Sequence, residues 1–492
     1  MIQVCNPATG GSVGSVWCAG ASDFARAAAA AREAQKAWAA VRFSERSEIV
    51  RRFHDLVLDQ HDHILDTIQS ETGKARRDAF SEIVSVAGTA RYYLAHGAGH
   101  LSDRHRDAAV PAFTEAEIVY KPYSLVGLIT PWNYPFLLSI GDAIPALLSG
   151  NAVIVKPSEL TPLSADLARR LMIEAGLNPN LLVMLHGPGD VGAELIRHVD
   201  YLGFTGGTST GRKVAVAAAE RLIPFSLELG GKNPMIVLEG AALDDAAAGL
   251  IAGAFANTGQ ACIGVERVYV QDSIFEAFTR RVVEKAASLK IGWSKDWDVD
   301  MGSLISTAHA QKVSGHIEQA RLSGAKVLTG GRSRVDLGPA FVEPTILTDV
   351  PSSADVSRQE TFGPVVSIYA VPNADEAIRR ANESEFGLNA SIWTGDGRQS
   401  HIIARRLETG SAAINSTLLI YNSFAVPMGG VKLSGIGRRH GEQGILRYTQ
   451  AQSIVSSVQS HGGYDALLSY LDRPSRANLL VKILRLWRKI GL

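Results

Sequence analysis

Four short runs, LVGLIT (residues 125–130), AVIVKP (152–157), LLVML (181–185) and YLGFTG (201–206), decide the fold. Between and after them lie stretches of helical spacing at 164–174, 191–198 and 211–220. Strand-length apolar runs that alternate with helices need crossover connections, and crossovers cover both faces of a parallel sheet. The fold class is therefore α/β. Upstream, residues 22–100 read as helix. An Ala-rich run from Ala25 to Ala40 leads into EIVRRFHDLVLDQHDHIL, whose Ile49, Phe53, Leu56, Val57 and Ile64 fall near one helical face. Downstream a second α/β stretch begins at Asn233 with PMIVLE. It continues through helices at 243–256 and 275–289 and the runs VERVYV, AKVLTGG and VVSIYAV to about Ile414. Gly230 and Gly231 separate the two units.

A chain of 492 residues suggests about three structural units at roughly 150 residues each. Hydrophobic residues at 46% exclude a disordered chain. Lys plus Arg and Asp plus Glu number 49 each, which leaves no basic excess for a phosphate backbone, so nucleic acid is not an expected partner. Three cysteines, Cys5, Cys18 and Cys262, cannot form a disulfide framework and fit a reducing compartment. The opening MIQVCNPATGG has neither a basic nor an apolar leader region, and no apolar run reaches spanning length. A cytoplasmic location is expected.

Cys262 lies in NTGQACIGVERV, between a predicted helix and a predicted strand, where a loop can present a thiol. A small buried hydrophobe is the alternative. Asn257, Gly259 and Gln260 are poor core residues, which favours the presented thiol. Glu228 ends a strand in SLELGGKNP and is a candidate to take a proton from a thiol or a water; a solvated strand-end carboxylate is the other reading. Asn133, in the apolar ITPWNYPF, is a candidate oxyanion donor together with the Cys262 backbone N–H, or a capping turn residue.

Two glycine-rich segments compete as phosphate cradles. Gly187 to Gly192 satisfies G-x-G-x-x-G and includes Gly189, but Pro188 restricts its turn and no acid follows at the expected distance. FTGGTSTG (204–211) joins strand to helix with hydroxyls and free amides, which suits a pyrophosphate better. Lys156-Pro157-Ser158-Glu159 ends a parallel strand, where Glu159 and Lys156 can hold a ribose or form a solvated charge pair.

PWNYP, KPSE, FTGGTSTG, ELGGKNP, GQAC, ETFGPV and PMGGVKLSG occur in the order and approximate spacing of the aldehyde dehydrogenase superfamily, which the chain resembles over residues 4–458. The resemblance implies a Rossmann-type cofactor domain at 1–110 and 123–230, an α/β catalytic domain at 231–431, and small oligomerisation strands at 111–122 and 448–458. Residues 459–492 form an extension beyond these. The catalytic residues it implies are Cys262 as nucleophile, Glu228 as base for the hydrolytic water and Asn133 as oxyanion donor. The implied cofactor contacts are Trp132, Lys156, Ser158, Glu159, Gly189, Thr205, Gly207, Thr208, Leu229, Glu360 and Phe362, with no metal. Oxidation of an aldehyde to its acid through a cysteine thioester follows. A catalytically silent relative and an acylating variant are the alternatives, and retention of Cys262, Glu228 and Asn133 argues against both.

Many members carry a Lys where this chain has Gly141-Asp142, so a proton relay through that Lys must differ here. Gly141 also replaces a position that is often bulky, which predicts a wider substrate entrance. The apolar loop 416–424, with Leu419 and Tyr421, and Tyr134, Leu138 and Ile263 suggest an uncharged aromatic or aliphatic aldehyde. IPALLSGNAVIVKPSELTPLS and RLIPFSLELGGKNPM resemble instead a succinate-semialdehyde dehydrogenase branch. Glu159 on a ribose diol disfavours a 2′-phosphate, so NAD is expected ahead of NADP. A homodimer or homotetramer is expected. The tail SRANLLVKILRLWRKIGL (475–492) reads as a basic amphipathic helix with Leu479, Leu480, Ile483, Leu484, Trp487 and Ile490 on one face. An anionic membrane surface or a neighbouring subunit would cover that face.

Overall fold

The computed structural model describes residues 1–107, 114–457, 465, 469 and 471–490. Helices Ala21–Ala40, Phe43–Asp59, His61–Thr72 and Arg76–His100 fill the N-terminal stretch. Of the expected helical face, Phe53, Val57 and Ile64 are buried and Ile49 and Leu56 half-buried, with Val50, Leu65 and Ile68 buried beside them. Gly73, at φ 69°, ends the third helix in the left-handed region. An added Cβ there would lie 2.0 Å from Ser303 Oγ.

The expected strands form one six-stranded sheet in the order Gly435–Ile436, Phe225–Glu228, Tyr201–Thr205, Leu125–Ile129, Ala152–Lys156, Leu182–Met184. All neighbours are parallel except Gly435–Ile436, which runs antiparallel to Phe225–Glu228. Strands buried on both faces read as continuous apolar runs instead of alternating ones, as Ala152–Lys156 does. Strand order reverses at Leu125–Ile129, so a crevice opens beyond its carboxyl end. Thr130, Pro131, Trp132 and Asn133 follow there, and Lys156, Thr205 and Glu228 end the neighbouring strands on the same edge.

A seven-stranded sheet holds Asn233–Val237, Val265–Gln271, Val365–Val371, Thr345–Thr348, Asn389–Trp393 and Ser411–Ile414 in parallel, with Lys326–Thr329 antiparallel at one edge. Two apolar cores cover its faces, one centred on Ile236, Leu347 and Ile392 and the other on Met235, Val268 and Phe278. Thr114–Pro122 pairs antiparallel with Thr449–Ser457, from Thr449 opposite Pro122 to Ser457 opposite Thr114. Beyond Thr449 that last strand is exposed. Residues 111–113 of the expected extension, residue 458 and most of 459–470 lie outside the described residues. Helix Pro474–Ile490 forms as the tail pattern predicts, and among the described residues no helix is long and apolar enough to cross a membrane.

Candidate active site

The crevice at the strand reversal widens into a cavity of about 330 Å³ that contains Cys262, Glu228 and Asn133 together. Glu228 and Cys262 are 34 residues apart in sequence, and backbone packing brings their segments into contact. Gly231 lies so close that an added Cβ would meet the Cys262 carbonyl oxygen at 2.5 Å. Asn233 Nδ2 donates to that oxygen at 2.7 Å and to the Gly264 carbonyl at 2.8 Å. Gly231 and Asn233 of ELGGKNP are therefore the clamp on the thiol loop, while Gly230 lies against the Glu360 carboxylate.

The chain enters Cys262 through three consecutive left-handed residues, Asn257 (φ 51°), Thr258 (φ 58°) and Gly259 (φ 71°). Two non-glycine residues in this region are strained, and such strain persists where the surroundings over-determine it. Here Asn257 Nδ2 donates to the carbonyls of Asn133 and Gln260 at 2.9 and 3.0 Å, and Thr258 Oγ1 donates to the Gly302 carbonyl at 3.1 Å. Gly259 tolerates no side chain, since a Cβ would sit 2.2 Å from the Gly363 carbonyl oxygen.

Asn133 is buried, and its Nδ2 donates one hydrogen to the Gln260 carbonyl at 3.0 Å. An amide carries two hydrogens, so one remains for a ligand. The Asn133 backbone is anchored by Lys74, whose Nζ donates to the Asn133 carbonyl at 2.7 Å and to Glu82 Oε1 at 2.8 Å. Glu82 Oε2 in turn accepts from the Leu137 amide at 3.0 Å. Lys74 and Glu82 were invisible as site residues in the sequence, where they are two charges on a helical stretch.

Burial pushes the Cys262 thiol up to about 12; Arg439 opposes that, and Glu228 and Glu360 add to it. Burial also raises Glu228 to about 7 against the pull of Arg439 and Arg447. A thiol that is protonated at rest beside a carboxylate that titrates near neutrality forms an acid–base pair suited to proton transfer. Glu228 Oε1 has no hydrogen-bond partner among the described residues.

Trp132, Thr205, Gly207, Leu229, Glu360 and Phe362 line the same cavity, with His309 and Lys312, which the sequence did not single out. Trp132 meets Phe362 and His309 edge-on at 5.5 and 5.7 Å. Glu360 Oε1 accepts from the Gly231 amide at 2.8 Å, and the Thr361 and Phe362 amides are held by Glu266. Lys156, Ser158, Glu159, Gly189 and Thr208 lie beyond the cavity wall. Lys156 Nζ stands 3.3 Å from Glu159 Oε2, and Gly189 and Thr208 open helices Gly189–Ile196 and Thr208–Glu220. A Cβ on Gly207, which caps the second of these helices, would meet nothing within 4 Å, so free space faces that helix N-terminus. An open cradle at a helix N-terminus in the switch-point crevice, continuous with the thiol, fits a nicotinamide dinucleotide.

Tyr134, Leu138, Ile263 and Tyr421 also line this cavity, with Leu137, Leu418, Met428, Ser81, Ser85 and Asn422. Two expectations fail here. Leu419 is 59% exposed and Leu418 lines the cavity in its place. Three residues per turn in the short 3-10 helix Leu419–Asn422 put 418 and 421 inward and 419 outward. Gly141 does not widen the substrate entrance: it lines a small second cavity behind Leu138 and Tyr421, and a Cβ there would meet the Leu137 carbonyl at 2.8 Å. An arginine absent from the loop segments, Arg439, does reach the main cavity. Its guanidinium is engaged by Asp142 at 3.0 Å and by Thr205 Oγ1 at 3.0 Å.

The family model of the aldehyde dehydrogenase family matches residues 1–454. A protein of Mycolicibacterium smegmatis named a "putative succinate-semialdehyde dehydrogenase" of the NADP(+) type is 46% identical over 439 residues, 89% of this chain and 85% of that protein. A betaine aldehyde dehydrogenase of Cereibacter sphaeroides is 38% identical over 461 residues, 92% and 93% of the two chains. A solved succinate-semialdehyde dehydrogenase from Burkholderia pseudomallei superposes with a TM-score of 0.89 at 34% identity, covering 93% of this chain and 94% of that one. The chain belongs to the aldehyde dehydrogenase family, and its enzyme class is that of the NAD(P)-dependent aldehyde dehydrogenases.

Proposed function

We propose that Cys262 is the nucleophile of this enzyme, Asn133 and the Cys262 backbone N–H its oxyanion donors, and Glu228 its general base. The convergence of these three residues on one cavity carries the reading. The Cys262 proton passes to solvent and the sulfur bonds to the aldehyde carbon, while the remaining Asn133 N–H steadies the negative oxygen. A nicotinamide bound here would accept the hydride whose loss from the sulfur-bound carbon leaves a thioester on Cys262; Trp132, Thr205, Gly207, Leu229, Glu360 and Phe362 would be its nearer contacts and Lys156, Ser158, Glu159, Gly189 and Thr208 its outer ones. Glu228 then takes a proton from water as it attacks the thioester. The acid leaves and the thiol re-forms.

For substrate we favour succinic semialdehyde, on the naming of the mycobacterial relatives and on the uncharged polar groups of Ser81, Ser85, Tyr421 and Asn422 in the wall, which suit a distal carboxylate. A second reading, an uncharged aldehyde, is favoured by Leu137, Leu138, Ile263, Leu418 and Met428. Relative kcat/KM for succinic semialdehyde, hexanal and benzaldehyde decides between them. The first reading predicts succinic semialdehyde highest, and hexanal ahead of it establishes the second.

The expected NAD preference is weakened by Lys156 beside Glu159, which offsets repulsion of a 2′-phosphate, and by relatives named for NADP(+). A half-exposed ion contact is worth under about 1 kcal/mol. We therefore expect NAD and NADP within about tenfold of each other in kcat/KM, and a hundredfold preference for either contradicts the argument. Self-pairing through the exposed strand Thr449–Ser457 is the proposed route to a homodimer, and Gly230–Gly231 the proposed limit between cofactor and catalytic domains. Helix Pro474–Ile490, with Leu479, Val481, Ile483, Leu484 and Leu486 exposed, is proposed to rest on an anionic membrane or on a second subunit; vesicle flotation with and without residues 475–492 separates the two.

A further inference from the structure

Behind Glu228 lies a buried cluster of three charged side chains from distant parts of the chain. Asp142 holds Arg439 Nη2 on Oδ2 at 3.0 Å and Arg447 Nη2 on Oδ1 at 2.6 Å. Each guanidinium also reaches the strands around the carboxylate. Arg439 Nη2 donates to Oγ1 of Thr205, the residue paired with Glu228 across the parallel sheet. Arg447 Nη1 reaches Ser226 Oγ at 3.5 Å, two residues before Glu228 on its own strand and so on the same face. Two cations against one anion leave the cluster a net positive charge. Among the described residues, Arg439 Nε, Arg447 Nε and Glu228 Oε1 are buried polar atoms without partners.

We propose that Arg439, fixed by Asp142, is the positioning residue that lets the buried Glu228 ionise near neutral pH and so serve as a base. This rests on the reading of Glu228 given above. A carboxylate at the bottom of a glycine- and apolar-lined cavity loses its hydration, and only nearby positive charge restores the ionised form. The charged and titratable groups facing Glu228 are Arg438 and Arg439 from the segment after Gly435–Ile436, Arg447 after helix Gly441–Leu446, Asp142 from the turn after Pro135–Ile140, and Cys262. Of these, Arg439 is the cation that both lines the cavity and is pinned by a carboxylate and a hydroxyl. Asp142 itself stays ionised, since burial opposes its charge but Arg439 and Arg447 hold its carboxyl below the usual range. The cluster is thus a fixed source of positive charge, unlike a lone lysine that can release its proton.

The test is the pH profile of kcat for the full-length enzyme, Arg439→Gln, Arg439→Lys and Glu228→Gln, with the aldehyde and cofactor that turn over best. The parent enzyme is expected to gain activity as pH rises through about 7, where Glu228 ionises. Arg439→Gln is expected to move that limb upward by about one pH unit or more, and Arg439→Lys to return it toward the parent. A uniform loss of kcat with the limb unmoved overturns the proposal. If Arg439→Gln does not fold, Arg447→Gln should give a smaller shift in the same direction, and an unmoved limb there overturns it equally. A limb that survives in Glu228→Gln sinks the assignment of the base itself, a failure distinct from an unmoved limb in the arginine variants alone.

Discussion

The loop that carries the thiol and the side-chain wall around it are built by different means. At the thiol loop, position is set by backbone approach and buried ions: Gly231 against the Cys262 carbonyl, Gly259 against Gly363, Asn233 and Asn257 on main-chain oxygens, and Lys74 with Glu82 under the Asn133 turn. The wall, by contrast, is a set of side chains, Leu137, Leu138, Ile263, Leu418 and Met428, contributed by separate elements, of which Ile263, Leu418 and Met428 share one apolar cluster with Cys262. The first construction admits few substitutions, because a single methyl group collides with backbone that cannot move away. The second can be altered residue by residue, so the chemistry is fixed where the backbone is fixed and substrate choice is left to exchangeable side chains.

Breaking the thiol loop should have the largest consequences. Cys262→Ala is expected to lower kcat by on the order of 10³-fold or more, read from reduced-nicotinamide absorbance, because the remaining groups act only as a unit with the nucleophile. Asn133→Ala removes the proposed oxyanion donor and a contact to the Gln260 carbonyl, and kcat should fall by about 10²–10³-fold with KM little changed. An effect on KM alone would show that Asn133 acts in binding. Gly231→Ala should also lower kcat, since its Cβ would displace the Cys262 loop, while a calorimetric melt checks that the fold persists.

The acid–base balance sharpens the comparison further. Glu228 is competent as a base when ionised and its carboxyl is raised to about 7, so turnover should be low at pH 6, rise through 7 and level off above 8. An acid limb near 4.5 would mean that the carboxylate is far better solvated than its burial implies. The side-chain wall should respond least. Leu418→Ala, on the wall, is expected to change the ratio of kcat/KM for hexanal and succinic semialdehyde by about tenfold. Leu419→Ala, 59% exposed, should leave it within about twofold.

This contrast also explains what could be read from the sequence. The parallel sheets were legible because each strand is a short apolar run between helices, and Cys262, Glu228 and Asn133 because close backbone approach forces glycines and amides into compact motifs around them. Arg439 and Asp142 are 297 residues apart, and no local pattern marks an ion pair of that separation. Lys74 and Glu82 were hidden in the same way, since Glu82 reads as one more charge on a helix's wet face and Lys74 falls in the short connection between two helices. Leu419 was chosen over Leu418 because a loop has no period to read; only the 3-10 turn decides which leucine faces inward. The resemblance puts Gly141 at the entrance, whereas a Cβ there would meet the Leu137 carbonyl behind the wall.

The central claim is that Cys262 carries the acyl group and Glu228 releases it. Intact-protein and peptide mass spectrometry of Glu228→Gln, quenched during turnover with a reactive aldehyde and cofactor, tests this directly. The account predicts a mass gain of one acyl group on the peptide that bears Cys262, absent in the Cys262→Ala, Glu228→Gln double variant. An adduct on another residue, or full turnover with no accumulated adduct, would contradict it.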